Sequence, residues 1–293
     1  MELITDFVRY LKTERRCSPH TLSAYTLDLK SFEEFIAQNY DNCSLTKVNR
    51  NIVRGFMSEL KNHGLNNRSI NRKLSSLKSF YTFLEKKQRI NQNPLNLVRM
   101  LKTAKNLPEF VPESIIEEYN SAQAETFPEI RDQLIFEILY QTGMRRAEIC
   151  GLRDEDVDFA AMTIKVHGKR NKERLIPFTI KLGKLIKSYY SMRNSALKAE
   201  HFETTLVTNK GQKCYAELVY RSINKQLSKL SNLSKASPHV LRHTFATHLL
   251  NSGADLLAIK ELLGHTSLVA TQVYTHSTID KLKEIHKQAH PSG

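Results

Sequence analysis

Apolar positions recur at helical spacing through the first third of this 293-residue chain. Leu3, Phe7, Tyr10 and Leu11 fall on one stripe, which predicts an opening helix. Ser18 and Pro19 supply an N-cap and a first-turn proline for a second helix. Leu22, Tyr25, Leu29, Phe32 and Ile36 form its expected buried face, widened by Phe35. A third helix is expected over residues 50–62. A fourth is expected over 69–86, with Ile70, Leu74, Leu77, Tyr81 and Leu84 inward. Strand-like alternation is hard to find there, so these four segments predict a small helical bundle.

Residues 91–112 contain three prolines, isolated cations and little periodicity, and read as a linker with a domain boundary near residue 106. Beyond it, 131–141 is expected to be an amphipathic helix stopped by Gly143, with a new helix beginning at 147–152. The period then changes. Residues 163–166 and 174–178 are short β-prone runs on either side of the polar stretch 168–173, which predicts a hairpin, and 205–208 is a candidate third strand. From residue 181 the pattern is mainly helical again. The fold class expected is mainly α with a small β-sheet: a helical domain over 1–105 and an α+β domain over 106–293.

Charge sharpens this picture. The chain carries 44 basic and 30 acidic residues, a net charge of +14, which favours a polyanionic partner, nucleic acid before an anionic membrane surface. Residues 1–105 hold 19 basic and 9 acidic side chains, so most of the excess lies in the helical part. On the fourth helix Arg68 and Arg72 stand four residues apart, with Lys73 and Lys78 nearby, and are candidate DNA contacts. An ordinary solvated face is the alternative for any one of them. No stretch approaches the ~20 apolar residues of a membrane span, and Glu2 argues against a signal sequence, so a cytoplasmic location without membrane insertion is expected. Cys17, Cys43, Cys150 and Cys214 are too dispersed for a metal knuckle or a redox pair.

Candidate chemistry concentrates late in the chain. In SPHVLRHTFATHLLNSG, Ser237 can cap, Pro238 suits the first turn and Gly253 marks the end of a helix. Leu241, Phe245 and Leu249 form an inward row, which leaves His239, Arg242, His243 and Ala246 on another face. Asp255 then starts a helix with Leu256, Ile259 and Leu263 as core positions, closed by Gly264 immediately before His265. Ser267 can cap one more helix, which carries Tyr274, with Val273 inward. His239 and His243 could instead hold zinc, but the segment lacks the HExxH glutamate and an obvious third ligand.

The segments TGMRRAEICGL, HGKRNKERLIP, HVLRHTFATHLL and LLGHTSLVATQVYTH resemble, in order and spacing, the four signature blocks of the tyrosine recombinase (phage integrase) family, close to its Xer branch. NRKLSSLKSFYTFL and the following NPL resemble that branch's N-terminal, SAM-like core-binding domain. The resemblance implies a catalytic set of Arg145, Lys169, His239, Arg242, His265 and Tyr274. Arg146 departs from the family, where a small or apolar residue is usual. Arg145 is assigned because it directly follows the TGM turn, with Glu148 one helical turn away to orient it.

These residue types suit the chemistry. Two guanidiniums match the charge that builds on a phosphodiester's nonbridging oxygens, and cations with a nearby imidazole ease the loss of a tyrosine proton whose ordinary pKa is near ~10. His239 is the expected base, Lys169 the donor to the departing 5′ oxygen and His265 a hydrogen-bond donor to phosphate. The resemblance further implies a 3′-phosphotyrosyl intermediate at Tyr274 and no cofactor or metal. As partners it implies double-stranded DNA with short inverted half-sites, and a C-shaped clamp working as a homotetramer or as a heterotetramer with a related recombinase. An accessory protein is a further possibility. Residues 279–290 are candidates for an exchanged C-terminal helix, or for one folded back on its own domain. Chromosome-dimer resolution leads. An integrase or invertase of a phage or mobile element is the alternative within the same chemistry, and a non-catalytic DNA-binding regulator the alternative outside it.

Overall fold

The computed structural model of the protein describes residues 2–41, 43–103, 109–119, 124–168, 173–199, 201–230 and 236–264. The chain divides into two compact units, Met1–Asn106 and Leu107–Gly293. In the first, helices α1 (Glu2–Thr13), α2 (Pro19–Asn39), α3 (Arg50–Asn62) and α4 (Asn67–Lys86) surround one apolar core. Phe7 lies at its centre, with ring centroids 5.4 Å from both Phe80 and Phe83, and Phe32 meets Phe56 at 5.0 Å. Ser18 caps α2 by accepting the Thr21 N–H at 3.3 Å. Helix α4 starts two residues earlier than its apolar period suggests, because Asn66 accepts the Ser69 N–H at 2.9 Å and fixes the first turn.

The expected linker is largely folded structure. Asn71 exchanges two hydrogen bonds with the backbone of Leu101, at 2.8 and 2.9 Å, and Asn67 donates to the Lys102 carbonyl. Asn93 donates to the Thr82 hydroxyl, and Leu95 is buried in the first core. Polar side chains of α4 therefore secure a stretch that has no period of its own. At its far end, Val111 belongs to the second unit, where its N–H reaches the Thr244 hydroxyl at 2.9 Å.

The second unit is organised around α6 (Phe127–Thr142). The sequence suggests a one-faced amphipathic helix here, but Leu134, Ile135, Phe136, Ile138, Leu139 and Tyr140 are all fully buried. The cause is tertiary: α8 (Ile180–Leu197), α9 (Ala216–Leu230) and α10 (Pro238–Asn251) all pack on α6, so from Leu134 onward no face is left to water. Short α5 (Glu113–Tyr119) precedes it, α7 (Arg146–Cys150) follows, and α11 (Leu256–Leu263) closes the described chain.

The sheet is antiparallel in the order β1 (Val157–Asp158), β2 (Thr163–His167), β3 (Glu173–Pro177), with Ile164 opposite Ile176. The expected hairpin is its β2–β3 pair. The expected third strand at 205–208 is instead a single bridge, Val207 to Lys213, and the third strand is the two-residue β1. A strand that short carries no readable alternation. Two smaller expectations also change. Ser237 stands at the N-cap of α10 without a side-chain capping bond. Leu256 is 52% exposed, and the inward face of α11 is Ala258, Ile259, Leu262 and Leu263.

Candidate active site

Two left-handed turns set the geometry. Gly143 ends α6 at φ 58°, and a Cβ there would sit 2.5 Å from the Phe245 ring and 2.8 Å from Leu263, so both backbone angle and space demand glycine. The turn delivers Arg145 in extended conformation as the N-cap of α7. Gly264 ends α11 at φ 62° and leaves the last carbonyls of that helix facing inward. A helix C-terminus presents unpaired C=O groups and a partial negative charge.

Three arginines satisfy those groups. Arg174 Nε donates to the Leu262 carbonyl at 2.8 Å, Arg242 Nη2 to Leu263 at 2.6 Å and Arg145 Nη2 to Gly264 at 3.0 Å. Arg242 also donates to the Gly143 carbonyl through Nη1. The counter-charge is Glu148, whose side chain is only 6% exposed. It accepts the Arg145 backbone N–H and Nη1, each at 2.8 Å, and both terminal nitrogens of Arg174, at 3.1 and 2.8 Å.

Among the described residues, three guanidiniums around one carboxylate leave two positive charges without an acidic partner. Burial, then the nearness of Arg145 and Arg174, lowers the Arg242 pKa to about 10 despite the opposing pull of Glu148, so it is still charged at neutral pH. Burial raises the Glu148 pKa, but the hydrogen bonds and charge of Arg174 and the bonds from Arg145 outweigh it, and its carboxyl lies below the ordinary range. Each guanidinium has five N–H donors, and the bonds described use two on Arg145 and two on Arg242. Among the described residues, both keep donors for an anion. Arg145 remains 35% exposed, so an anion can approach from solvent.

Of the expected site residues, the structure brings Arg145 and Arg242 together. It is Arg145 and not its neighbour Arg146 that binds Glu148 and the end of α11. His239 is exposed on the first turn of α10, three residues before Arg242. Lys169, His265 and Tyr274 lie outside the described residues, as do Ser267, Val273 and the segment 279–290. Lys169 belongs to the connection between β2 and β3, and His265 directly follows Gly264 in the chain. Sequence reasoning missed Arg174, a strand residue whose partners lie 26 and 88 positions away.

The four candidate DNA contacts of α4 are not alike. Arg68 and Lys78 are exposed. Arg72 is half exposed but forms a bidentate pair with buried Asp28, at 2.5 and 2.8 Å, which also accepts from Ser76 at 2.7 Å. Lys73 is mostly covered and points its ammonium to the same carboxylate at 3.3 Å. Of these four candidates, Lys73 turns inward to Asp28, and Arg72 divides its donors between Asp28 and solvent.

Among the described residues no helix is long and apolar enough to cross a membrane. Residues 105–281 match a family model described as the phage integrase family, and residues 4–88 match the phage integrase N-terminal SAM-like domain. The chain is 36% identical to the tyrosine recombinase XerC of Chlorobaculum tepidum, over 98% of this chain and 93% of that one. It is 37% identical to XerC of Bacillus subtilis, over 97% and 95%. Among solved structures, the XerH site-specific recombinase in a post-cleavage complex with palindromic difH DNA superposes with a TM-score of 0.72. That match has 19% identity and covers 98% of this chain and 82% of that one. The integrase of transposon Tn1549 with transposon right-end DNA gives 0.70 at 20% identity, covering 97% and 98%. At such identities these structures speak for the fold, whereas the family models and the XerC relatives span nearly the whole sequence. The chain therefore belongs to the phage integrase family of tyrosine recombinases, enzymes that cut and rejoin DNA through a covalent phosphotyrosine intermediate.

Proposed function

We propose that this recombinase acts in the cytoplasm as a Xer-type enzyme resolving chromosome dimers. In this reading it assembles as a tetramer, of itself or with a related recombinase, on short inverted half-sites. Tyr274 is the nucleophile, and Arg145 and Arg242 form the phosphate clamp. The observation that carries the reading is the arginine pair: two half-buried guanidiniums, held from behind by carbonyls and one carboxylate, with donors and two positive charges that no described residue matches. That surplus suits a pentavalent phosphorane, which carries more negative charge than the diester it forms from. Such donors need no reorganisation during the reaction, because Gly143, Leu263 and Gly264 already fix them.

In the proposed step the Tyr274 oxygen attacks phosphorus and its proton passes to His239. The bond to the 5′ oxygen breaks, Lys169 supplies that oxygen's proton, and His265 donates to a nonbridging oxygen. The 3′ phosphate is then esterified to tyrosine, and a 5′ hydroxyl of another strand reverses the sequence. One ester replaces another, so the bond energy is kept and no nucleotide cofactor enters the balance. Arg68, Lys78 and the solvent-facing part of Arg72 are proposed to touch DNA backbone, where they add affinity without reading sequence.

The test uses the full-length protein and nicked half-site DNA carrying the site under trial. The expected product is a covalent adduct that digestion and mass spectrometry map to the peptide containing Tyr274. An adduct mapped to another residue would overturn the nucleophile, and none on any plausible site would favour a DNA-binding regulator. Mapping the same adduct across a genome tests the biological role. Adducts confined to a mobile element or an invertible promoter would replace dimer resolution with integration or inversion.

A further inference from the structure

We infer that Arg174 is a positioning residue for strand cleavage, an inference that rests on the proposed roles of Arg145 and Arg242. Its side chain is 6% exposed, so it lies behind the site. Its two terminal nitrogens grip Glu148 as a fork, and Glu148 in turn holds Arg145 by backbone and side chain. Its remaining Nε–H goes to the Leu262 carbonyl at 2.8 Å, two residues before Gly264 and three before His265. One planar group thus joins the Glu148–Arg145 pair to the helix end from which the chain continues toward His265 and Tyr274.

Gly264 is an independent sign of this arrangement. A Cβ at that glycine would lie 3.1 Å from Arg174 Nη1 and 3.3 Å from both Cδ and Cζ. The bare backbone therefore lets the Arg174 side chain lie against the turn. Lysine cannot replace it: a single ammonium has no fixed fork to span both carboxylate oxygens while a separate N–H meets a carbonyl. Relaxation of this brace would let Arg145 and the α11 end shift relative to each other. A misplacement of about 1 Å can slow a positioned reaction by roughly 100-fold.

The experiment compares wild type, Arg174→Lys and Arg174→Gln for the rate of the Tyr274 adduct under single turnover on nicked half-site DNA. Half-site affinity and melting temperature are measured alongside. A second substrate carries sulfur in place of the bridging 5′ oxygen, a leaving group that needs no proton. The expected result is a cleavage rate about 10- to 100-fold lower in both variants, with affinity within about threefold of wild type. The deficit should persist with the sulfur leaving group, because the affected group is the arginine clamp. Wild-type rates in a folded variant would overturn the inference. So would a deficit that disappears with sulfur, because the effect would then run through the β2–β3 connection and Lys169. If Arg174→Gln does not fold, Arg174→Lys decides, and failure of both to fold makes the residue purely structural. An adduct missing from wild type would count against the proposed chemistry, whereas a wild-type adduct with unimpaired variants would count against Arg174 alone.

Discussion

Arg242→Ala is expected to slow formation of the covalent adduct by about 1,000-fold or more, while half-site binding weakens only modestly. Removal of one preorganised donor to a developing oxyanion costs roughly 100- to 1,000-fold, and Arg242 offers more than one. Loss of a single phosphate contact should lower the salt dependence of binding by about one unit of slope. The two effects separate because the added charge on phosphate exists only in the transition state. Arg242→Lys should remain severely impaired. It keeps a charge, but it cannot reach the Gly143 and Leu263 carbonyls together and still face phosphate. Single-turnover cleavage and salt titrations of binding decide this. Equal losses in rate and affinity would remove Arg242 from the clamp and make it an ordinary DNA contact.

The site was unevenly legible in the sequence. Arg145 and Glu148 are three residues apart at the start of a helix, so their pairing follows from local geometry. Gly143 and Gly264 could be read as helix stops, because a left-handed C-terminal residue favours glycine. Their second function, making room for Phe245 and Arg174, depends on elements remote in the chain. Arg174 itself gives no local sign. It sits among β-prone residues, and it becomes part of the site only because β3 packs against α11. The same limit explains α4. Periodicity places Arg72 and Lys73 beside the apolar row, but it cannot tell whether a carboxylate from another helix will claim them. Asp28 does so from α2, where it follows the apolar spacing of its neighbours Tyr25, Leu29 and Phe32. An acidic residue within a buried stripe is itself a sign that a cation must come to it.

The same reasoning gives Glu148→Ala a large expected effect on stability. The substitution leaves Arg174, 6% exposed, without its carboxylate, and leaves Arg145 and Arg242 in mutual repulsion at the end of α11. Breaking a buried pair by removal of one partner costs about 3–5 kcal/mol, because the other charge stays desolvated. Glu148→Gln keeps the shape but sets an amide among guanidinium donors, so it should be destabilising as well. The pH dependence follows from the lowered pKa. With the folded value below the ordinary 4.5, Glu148's contribution is complete above about pH 5 and is lost as pH falls through the folded value. Wild-type unfolding free energy should therefore drop more steeply below pH 5 than that of Glu148→Gln, which has no proton to take up at this position. Denaturant unfolding across this range measures both quantities. If the slopes are parallel and Glu148→Ala costs under about 1 kcal/mol, the arginines are held by the α11 carbonyls alone, and Glu148 serves only to balance their charge.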